Sequence, residues 1–310
     1  MIPGTKTTVS VQCSPVIATG SISGAVFHLT DITMIQELEG QIRRKLSGRG
    51  LKARYTFDDI IHRSEIIRQT IKAAKRYAAS DSNVIIIGET GTGKELFAQS
   101  IHNASRRKNG PFVAINCAAL PENLLESELF GHVEGAFTGA VRGGKMGLFE
   151  QAHGGTLLLD EITEISPSTQ SKLLRVLQER QVRRIGDDKV IDVDARIISC
   201  TNRSISNLLS QGKFRRDLMY RLDILRLFLP PLRDREGDVE LLFCHLLGSL
   251  CRQWDIEMPR IDPEALLLLN QYRFDGNIRE LRSIVERVLS LSDGGCVTQR
   301  AMGEALYPRD

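Results

Sequence analysis

The segment "NVIIIGETGTGKE", residues 83–95, passes from an apolar run into a glycine-rich turn and then into a helix-forming stretch. The spacing of Gly88, Gly93 and Lys94 is that of a phosphate-binding loop. Gly88, Glu89, Thr90, Gly91, Thr92 and Gly93 would wrap backbone N–H groups around phosphate oxygens, and Lys94 would add a cation. One position departs from the general motif: Glu95 stands where a Ser or Thr hydroxyl usually serves Mg²⁺. Downstream, "GGTLLLDEI" ends a second apolar run in two carboxylates, Asp160 and Glu161. After a phosphate loop, the first suits a Mg²⁺ site, commonly through water, and the second suits polarisation of an attacking water. Asn116 after "FVAI" and Asn202 after "ARIISCT" put amides at two further strand ends, where ligands collect in an open parallel sheet. Amides are also common where strands simply stop. Arg215 and Arg221 in "FRRDLMYRLD", and Arg279 in "GNIRELRSIVERV", offer guanidinium forks matched to phosphate. Supplied across a subunit boundary, such a group raises hydrolysis by about 10³ to 10⁵. Surface salt bridging is the plain alternative for each.

These groups need a sheet to carry them. From "YTFDDI" onward, the runs "NVIII", "FVAIN", "TLLLD", "ARIISC" and "LRLFL" alternate with helical segments. Five apolar strands separated by helices predict an α/β domain, a parallel sheet with helices on both faces. Beyond "LPPLRDREGDV" (229–239) no strand signal remains, and residues 238–308 read as a small helical subdomain. In it Leu242, Phe243, Leu246, Leu247 and Leu250 form one buried stripe at helical spacing. Upstream, residues 7–31 alternate β-formers with turn residues and predict two or three strands. Ile35, Leu38, Ile42 and Leu46 predict a helix over 32–47, and the basic cluster Arg43, Arg44, Lys45, Arg49, Lys52 and Arg54 around its end reads as a solvated face. The resulting division is 1–34, a linker helix over 35–54, an α/β nucleotide-binding subdomain over 55–235 and a helical subdomain over 236–310.

Bulk composition narrows the class without naming a ligand. Lys plus Arg exceeds Asp plus Glu by 41 to 38 in 310 residues, so net charge makes no case for a nucleic-acid or membrane-surface binder. Six cysteines without CxxC pairs, in a chain 42% hydrophobic, fit reduced thiols and not a disulfide scaffold. The first residues lack the order of a signal peptide, and no apolar run approaches the roughly 20 residues needed to span a bilayer. A cytoplasmic protein is expected.

One stretch fits none of this: "GHVEGAFTGAVRGGK", residues 131–145, puts Phe137 amid five glycines. A mobile loop with an apolar tip serves a machine that must press on another protein. The combination resembles the AAA+ domain of the bacterial enhancer-binding proteins that activate sigma-54 RNA polymerase, over residues 55 to about 308. "GAFTGA" (Gly135, Ala136, Phe137, Thr138, Gly139, Ala140) is the most specific match, beside "GETGTGKE", "GLFEQAHGGTLLLDEI" and "LPPLRDREGD". That family itself tends to carry Glu after the lysine.

The resemblance implies an AAA+ P-loop NTPase with an all-α lid, using ATP and Mg²⁺. By position, Lys94 and its loop resemble Walker A, Asp160 and Glu161 resemble Walker B, and Asn116 resembles the partner that holds Glu161. Thr201 and Asn202 resemble sensor I, Arg279 resembles sensor II, and Arg215 with Arg221 resemble trans-acting fingers. Ile60 and Ile61 would flank the nucleotide base, and the GAFTGA residues would contact sigma-54. It further implies a homo-oligomeric, hexameric ring that remodels the sigma-54 holoenzyme. Promoter or enhancer DNA would be reached only through a helix-turn-helix missing from this chain, and no membrane is involved. The N-terminal strands resemble the tail of a PAS sensor domain. Two departures, His62 in "DIIHRS" and the missing Trp-Pro in "FDGNIREL", are expected to alter packing near the lid and base. A general protein remodeller or unfoldase is the alternative with the same engine, and it would grip unrelated unfolded chains. A binding module that only switches assembly is a third class, opposed by Glu161, Asn116 and the candidate fingers.

Overall fold

A computed structural model of the chain describes residues 9–18, 21–31, 52–136, 144–292 and 295–308. The chain divides into two compact units, Met1–Leu51 and Lys52–Asp310. In the first, β1 (Val9–Ala18) and β2 (Ser21–Asp31) pair antiparallel from Val9↔Asp31 to Ala18↔Ser21, with a register shift between Val16 and Ile17. The helix expected over 32–47 lies outside the described residues.

The second unit opens with α1 (Glu65–Ala78), β3 (Val84–Ile87), α2 (Lys94–Asn103) and β4 (Phe112–Asn116). Then come α3 (Glu122–Phe130), β5 (Gly131–His132), β6 (Lys145–Met146), α4 (Leu148–Gln151) and β7 (Thr156–Asp160). After α5 (Pro167–Glu179), a hairpin of β8 (Gln181–Arg183) and β9 (Val190–Asp192) precedes β10 (Arg196–Thr201). Two short helices, α6 (Ile205–Ser210) and α7 (Arg216–Leu222), lead to β11 (Leu225–Phe228).

The five apolar runs are the five strands of one parallel sheet, in the order β11-β3-β10-β7-β4. Both faces are covered, which is why the runs are continuously apolar and do not alternate. Val84, Ile86, Leu158, Ile198 and Cys200 pack with Ile67 and Ile71 of α1 and Phe97 and Ile101 of α2. Ile85, Leu157, Leu159 and Ile197, of the opposite parity, are equally buried on the other face. Parallel strands share one C-terminal edge, so the chain segments that follow β3, β10, β7 and β4 emerge side by side.

The lid follows as α8 (Asp238–Trp254), α9 (Pro263–Gln271), α10 (Asn277–Leu291) and α11 (Gln299–Leu306). Leu242, Phe243, Leu247 and Leu250 are buried in its core as the periodicity predicts, while Leu246 lies at the margin. The expectation of an entirely helical lid is corrected in one detail. Residues Arg260–Ile261 and Cys296–Val297 form a two-residue parallel pair, β12 and β13, too short to leave an alternating pattern in sequence. Phe274, where the family pattern would have its Trp-Pro, is fully buried and meets Tyr272 edge-on at 5.1 Å.

Candidate functional site

The order β3-β10-β7-β4 lays the phosphate loop, Asn202, the Asp160–Glu161 pair and Asn116 along one edge of the sheet. The loop leaves β3 and is anchored at once, Gly88 N–H donating to Thr201 O at 3.1 Å. Gly91 and Gly93 adopt φ +80° and +100°, left-handed values that L side chains rarely adopt. At Gly91 a Cβ would also lie 2.2 Å from Gly276 O, so the lid rests directly on the loop. Lys94 is buried, and its ammonium donates to Gly88 O at 2.9 Å and Glu89 O at 3.2 Å. Glu95 is exposed and accepts from Gln99 Nε2, while Gln99 Oε1 accepts from the Arg54 and Tyr55 N–H groups. Glu95 thus orients the residue that ties the Arg54–Tyr55 segment to α2.

Asp160 Oδ1 accepts from Glu161 N–H at 3.0 Å. Glu161 itself has φ +50°, a left-handed backbone costing a non-glycine residue about 1–2 kcal/mol. Burial pushes its carboxyl pKa up, Asp160 adding to the rise and the Lys94 charge opposing it. Its Oε2 is buried with no hydrogen-bond partner among the described residues. A buried carboxylate oxygen left without a donor is costly unless something else approaches it, and such groups cluster where proton transfer is done. Asn116 lies opposite Asp160 in the ladder, but its Oδ1 accepts from Ala118 N–H at 2.9 Å. That bond occupies only the amide oxygen, and among the described residues Asn116 makes no hydrogen bond to Glu161. Asn202 Nδ2 donates to Thr90 Oγ1 at 3.0 Å, joining the end of β10 to the loop. The neighbouring thiols do not compete as nucleophiles: burial pushes Cys117 up to about 12 and Cys200 well above its ordinary value.

The arginines divide. Arg279, exposed in the first turn of α10, has its Cβ 3.1 Å from the Gly91 Cβ position, beside the loop. Arg215 turns to Asp217 at 2.7 Å and Ser171 Oγ at 2.9 Å, and its N–H donates to the buried Gln170. Arg221 is exposed, and its carbonyl accepts from Asn83 Nδ2. Asn83 precedes β3, so Arg221 sits at the edge of the sheet opposite the loop, about 13 Å of strand away. Among the described residues neither arginine bonds its own chain's phosphate loop.

Ile60 is buried in the α/β core while Ile61 packs on the lid core, so the pair straddles the seam between them. His62 Nδ1 shares a hydrogen bond with Ile60 O at 2.8 Å. Asp238, fully buried at the start of α8, accepts from the Arg63 and Ser64 N–H groups and the Ser64 hydroxyl, fixing that segment to the lid. Sequence reasoning missed Asp238, Arg233, Arg235 and Asn277. All lie within quoted stretches, "LPPLRDREGD" and "GNIREL", and the signal was the concentration of charged and amide residues in otherwise buried segments.

Gly135 and Ala136 begin the glycine-rich excursion; Phe137, Thr138, Gly139 and Ala140 lie outside the described residues. The root is a β5–β6 pair, Gly131↔Met146 and His132↔Lys145. It is stapled to the β8–β9 hairpin by Ile185 N–H to Gly131 O at 2.9 Å and Val133 N–H to Ile185 O at 3.1 Å.

Residues 60–228 match the Sigma-54 interaction domain, and residues 233–309 match the AAA+ ATPase lid domain. The chain is 45% identical to the Transcriptional activator RocR of Bacillus subtilis over 276 residues, 89% of this chain and 59% of that one. It is 46% identical to the Regulatory protein AtoC of Escherichia coli over 260 residues, 84% and 56% of the two chains. The chain therefore spans a little over half the length of these curated relatives. Among solved structures, NtrX from Brucella abortus in complex with ATP superposes with a TM-score of 0.74 at 33% identity, covering 90% of this chain and 61% of that one. A RuvB variant from Thermotoga maritima, 14% identical with a TM-score of 0.53 over 81% of this chain and 71% of that one, shares the fold alone. The loop, the carboxylate pair and the lid that meets them are thus those of a known group: the chain belongs to the sigma-54 interaction family, the AAA+ ATPase domain of sigma-54-dependent transcriptional activators.

Proposed function

We propose that the chain is an ATP-driven activator that assembles into a ring, hydrolyses ATP between subunits and remodels the sigma-54 form of RNA polymerase so that promoter DNA opens. The observation that carries the chemistry is the juxtaposition of the Lys94 loop with Glu161, whose buried Oε2 has no hydrogen-bond partner among the described residues. Lys94 and the loop N–H groups bind the phosphates, Ile60 and Ile61 flank the base, and Arg279 closes from the lid. Glu161, its proton affinity raised by burial, takes the proton from an attacking water; Asn202 and Asn116 position that water and sense the γ-phosphate.

The donor set fits Mg²⁺ only in company. Among the described residues no group of three or more carboxylate, His or Cys side chains forms a metal site. A hard cation here would take Asp160, directly or through water, and fill its shell with phosphate and water oxygens, as Mg²⁺ does. When bound it supplies charge neutralisation on the phosphates. Arg215 and Arg221 act on a neighbouring subunit's nucleotide, a reading supported by the position of Arg221 at the far edge of its own sheet. The GAFTGA tip, Phe137 and Thr138 foremost, makes the sigma-54 contact. The ring is hexameric and works in the cytoplasm. Residues 1–34 are read as PAS-like.

Two substitutions test the engine. Lys94→Ala is expected to abolish nucleotide binding, and Glu161→Gln to bind ATP while losing hydrolysis by a factor of about 10² or more. Wild-type turnover in Glu161→Gln would remove it as the base.

A further inference from the structure

The entry to the lid does more than cover the phosphate loop. Asn277, the first residue of α10, is fully buried with φ +55°. Its Oδ1 accepts from Leu232 N–H at 2.7 Å, and its Nδ2 donates to Thr90 O at 3.0 Å and Glu89 Oε2 at 3.1 Å. The next N–H, that of Ile278, donates to Gly91 O at 3.0 Å, and Arg235 Nη2 donates to Thr92 O at 2.8 Å. Three successive loop carbonyls are therefore held by lid-side donors. In a trans peptide the C=O and the following N–H point in opposite directions. Pinning Thr90 O and Thr92 O toward the lid turns the Gly91 and Gly93 N–H groups the other way, where a phosphate would be received. The Thr92 N–H is partly used within the loop, in a long 3.4 Å bond to Glu89 O.

Glu89 completes the arrangement. Arg233 forks onto its two oxygens at 2.8 and 2.5 Å, and that guanidinium holds the Glu89 carboxyl down to about 2. A carboxylate so engaged, inside a loop that receives anions, is spent on the lid.

We propose that Asn277, with the Glu89–Arg233 pair, is a latch that couples lid closure to the shape of the phosphate loop and so controls nucleotide release. These are positioning residues; the proposal rests on the nucleotide-site reading above. With the latch closed, the loop donors are aligned and the nucleotide is enclosed. With it open, both are lost together.

The test is the dissociation rate of a fluorescent ADP analogue, measured beside the melting temperature of the nucleotide-free protein. Asn277→Gly keeps the left-handed backbone and deletes only the amide; release is expected to quicken about tenfold. Glu89→Gln and Arg233→Gln are each expected to quicken it about three- to fivefold, because the pair is about a third exposed. The double variant should release no faster than the faster single one. KM for ATP should rise in step with release, and for Arg233→Gln kcat should change less than twofold. Should Asn277→Gly fail to fold, the Glu89 and Arg233 variants carry the test. Wild-type release rates in nucleotide-binding variants, or single effects that multiply in the double variant, would overturn the latch alone. Failure of the wild-type protein to bind the analogue would overturn the nucleotide-site reading together with it.

Discussion

At the scale of single residues, burial decides which groups carry charge. Burial pushes the His102 imidazole down to about 4 from an ordinary 6.5, and the Arg196 charge adds to the fall; its Nδ1 shares a hydrogen bond with Thr156 at 2.9 Å. The unfolded chain therefore takes up the proton first as pH falls. The resulting stability is complete above pH 6.5 and is lost as pH drops from there toward 4. The gap corresponds to about 3 kcal/mol. His102→Asn should lower stability at pH 7 yet flatten the dependence between pH 6.5 and 4, read by urea unfolding at several pH values. An unchanged slope would assign the acid sensitivity elsewhere. Glu161 shifts in the other direction for the same reason, burial, which suits a base that must hold a proton transiently.

At the scale of elements, the loop-bearing excursion is inserted between the strand that ends at Asn116 and the one that ends at Asp160. Its helix α3 is tied to α5, since buried Glu126 accepts from Ser168, Thr169 and Lys172. Helix α5 also holds the Arg215 segment through Gln170. The Arg215 segment and the helix leading into the loop root therefore share α5, which follows the Asp160–Glu161 turn in the chain, and under the proposed function this is a physical route from the phosphate to the tip. Replacing Thr138 or Phe137 by Ala is expected to leave ATP hydrolysis within about twofold and to abolish sigma-54 capture. A buried anchor at Phe137 would instead cost about 3–5 kcal/mol and impair melting temperature, hydrolysis and capture together.

The sheet was legible because burial on both faces leaves unbroken apolar runs, and the loop was legible because its glycines and lysine are contiguous. The latch was not, because Asn277 meets Glu89 across 188 residues and no local pattern encodes such a contact. The β8–β9 hairpin went unread although Gly186 and Asp187 mark its turn, since three-residue strands barely alternate. Asn116 could be placed at a strand end from sequence, but not the Ala118 N–H that its side chain takes.

At the scale of the whole molecule, Arg221 lies at the edge of its own sheet opposite the phosphate loop, and the proposed function has it complete a neighbouring subunit's site. Mixing Arg221→Ala with Lys94→Ala subunits should restore turnover at the interfaces that pair an intact loop with an intact finger. No recovery despite demonstrated subunit exchange would contradict action in trans. The central claim joins this engine to one partner, and a single binding measurement tests both: capture of purified sigma-54 in the presence of ADP with a metal fluoride mimicking the transferring phosphate. A stable complex is expected with the wild-type protein, dependent on that analogue, and none with Lys94→Ala or Thr138→Ala. Capture that persists without nucleotide, or that survives both substitutions, would contradict it.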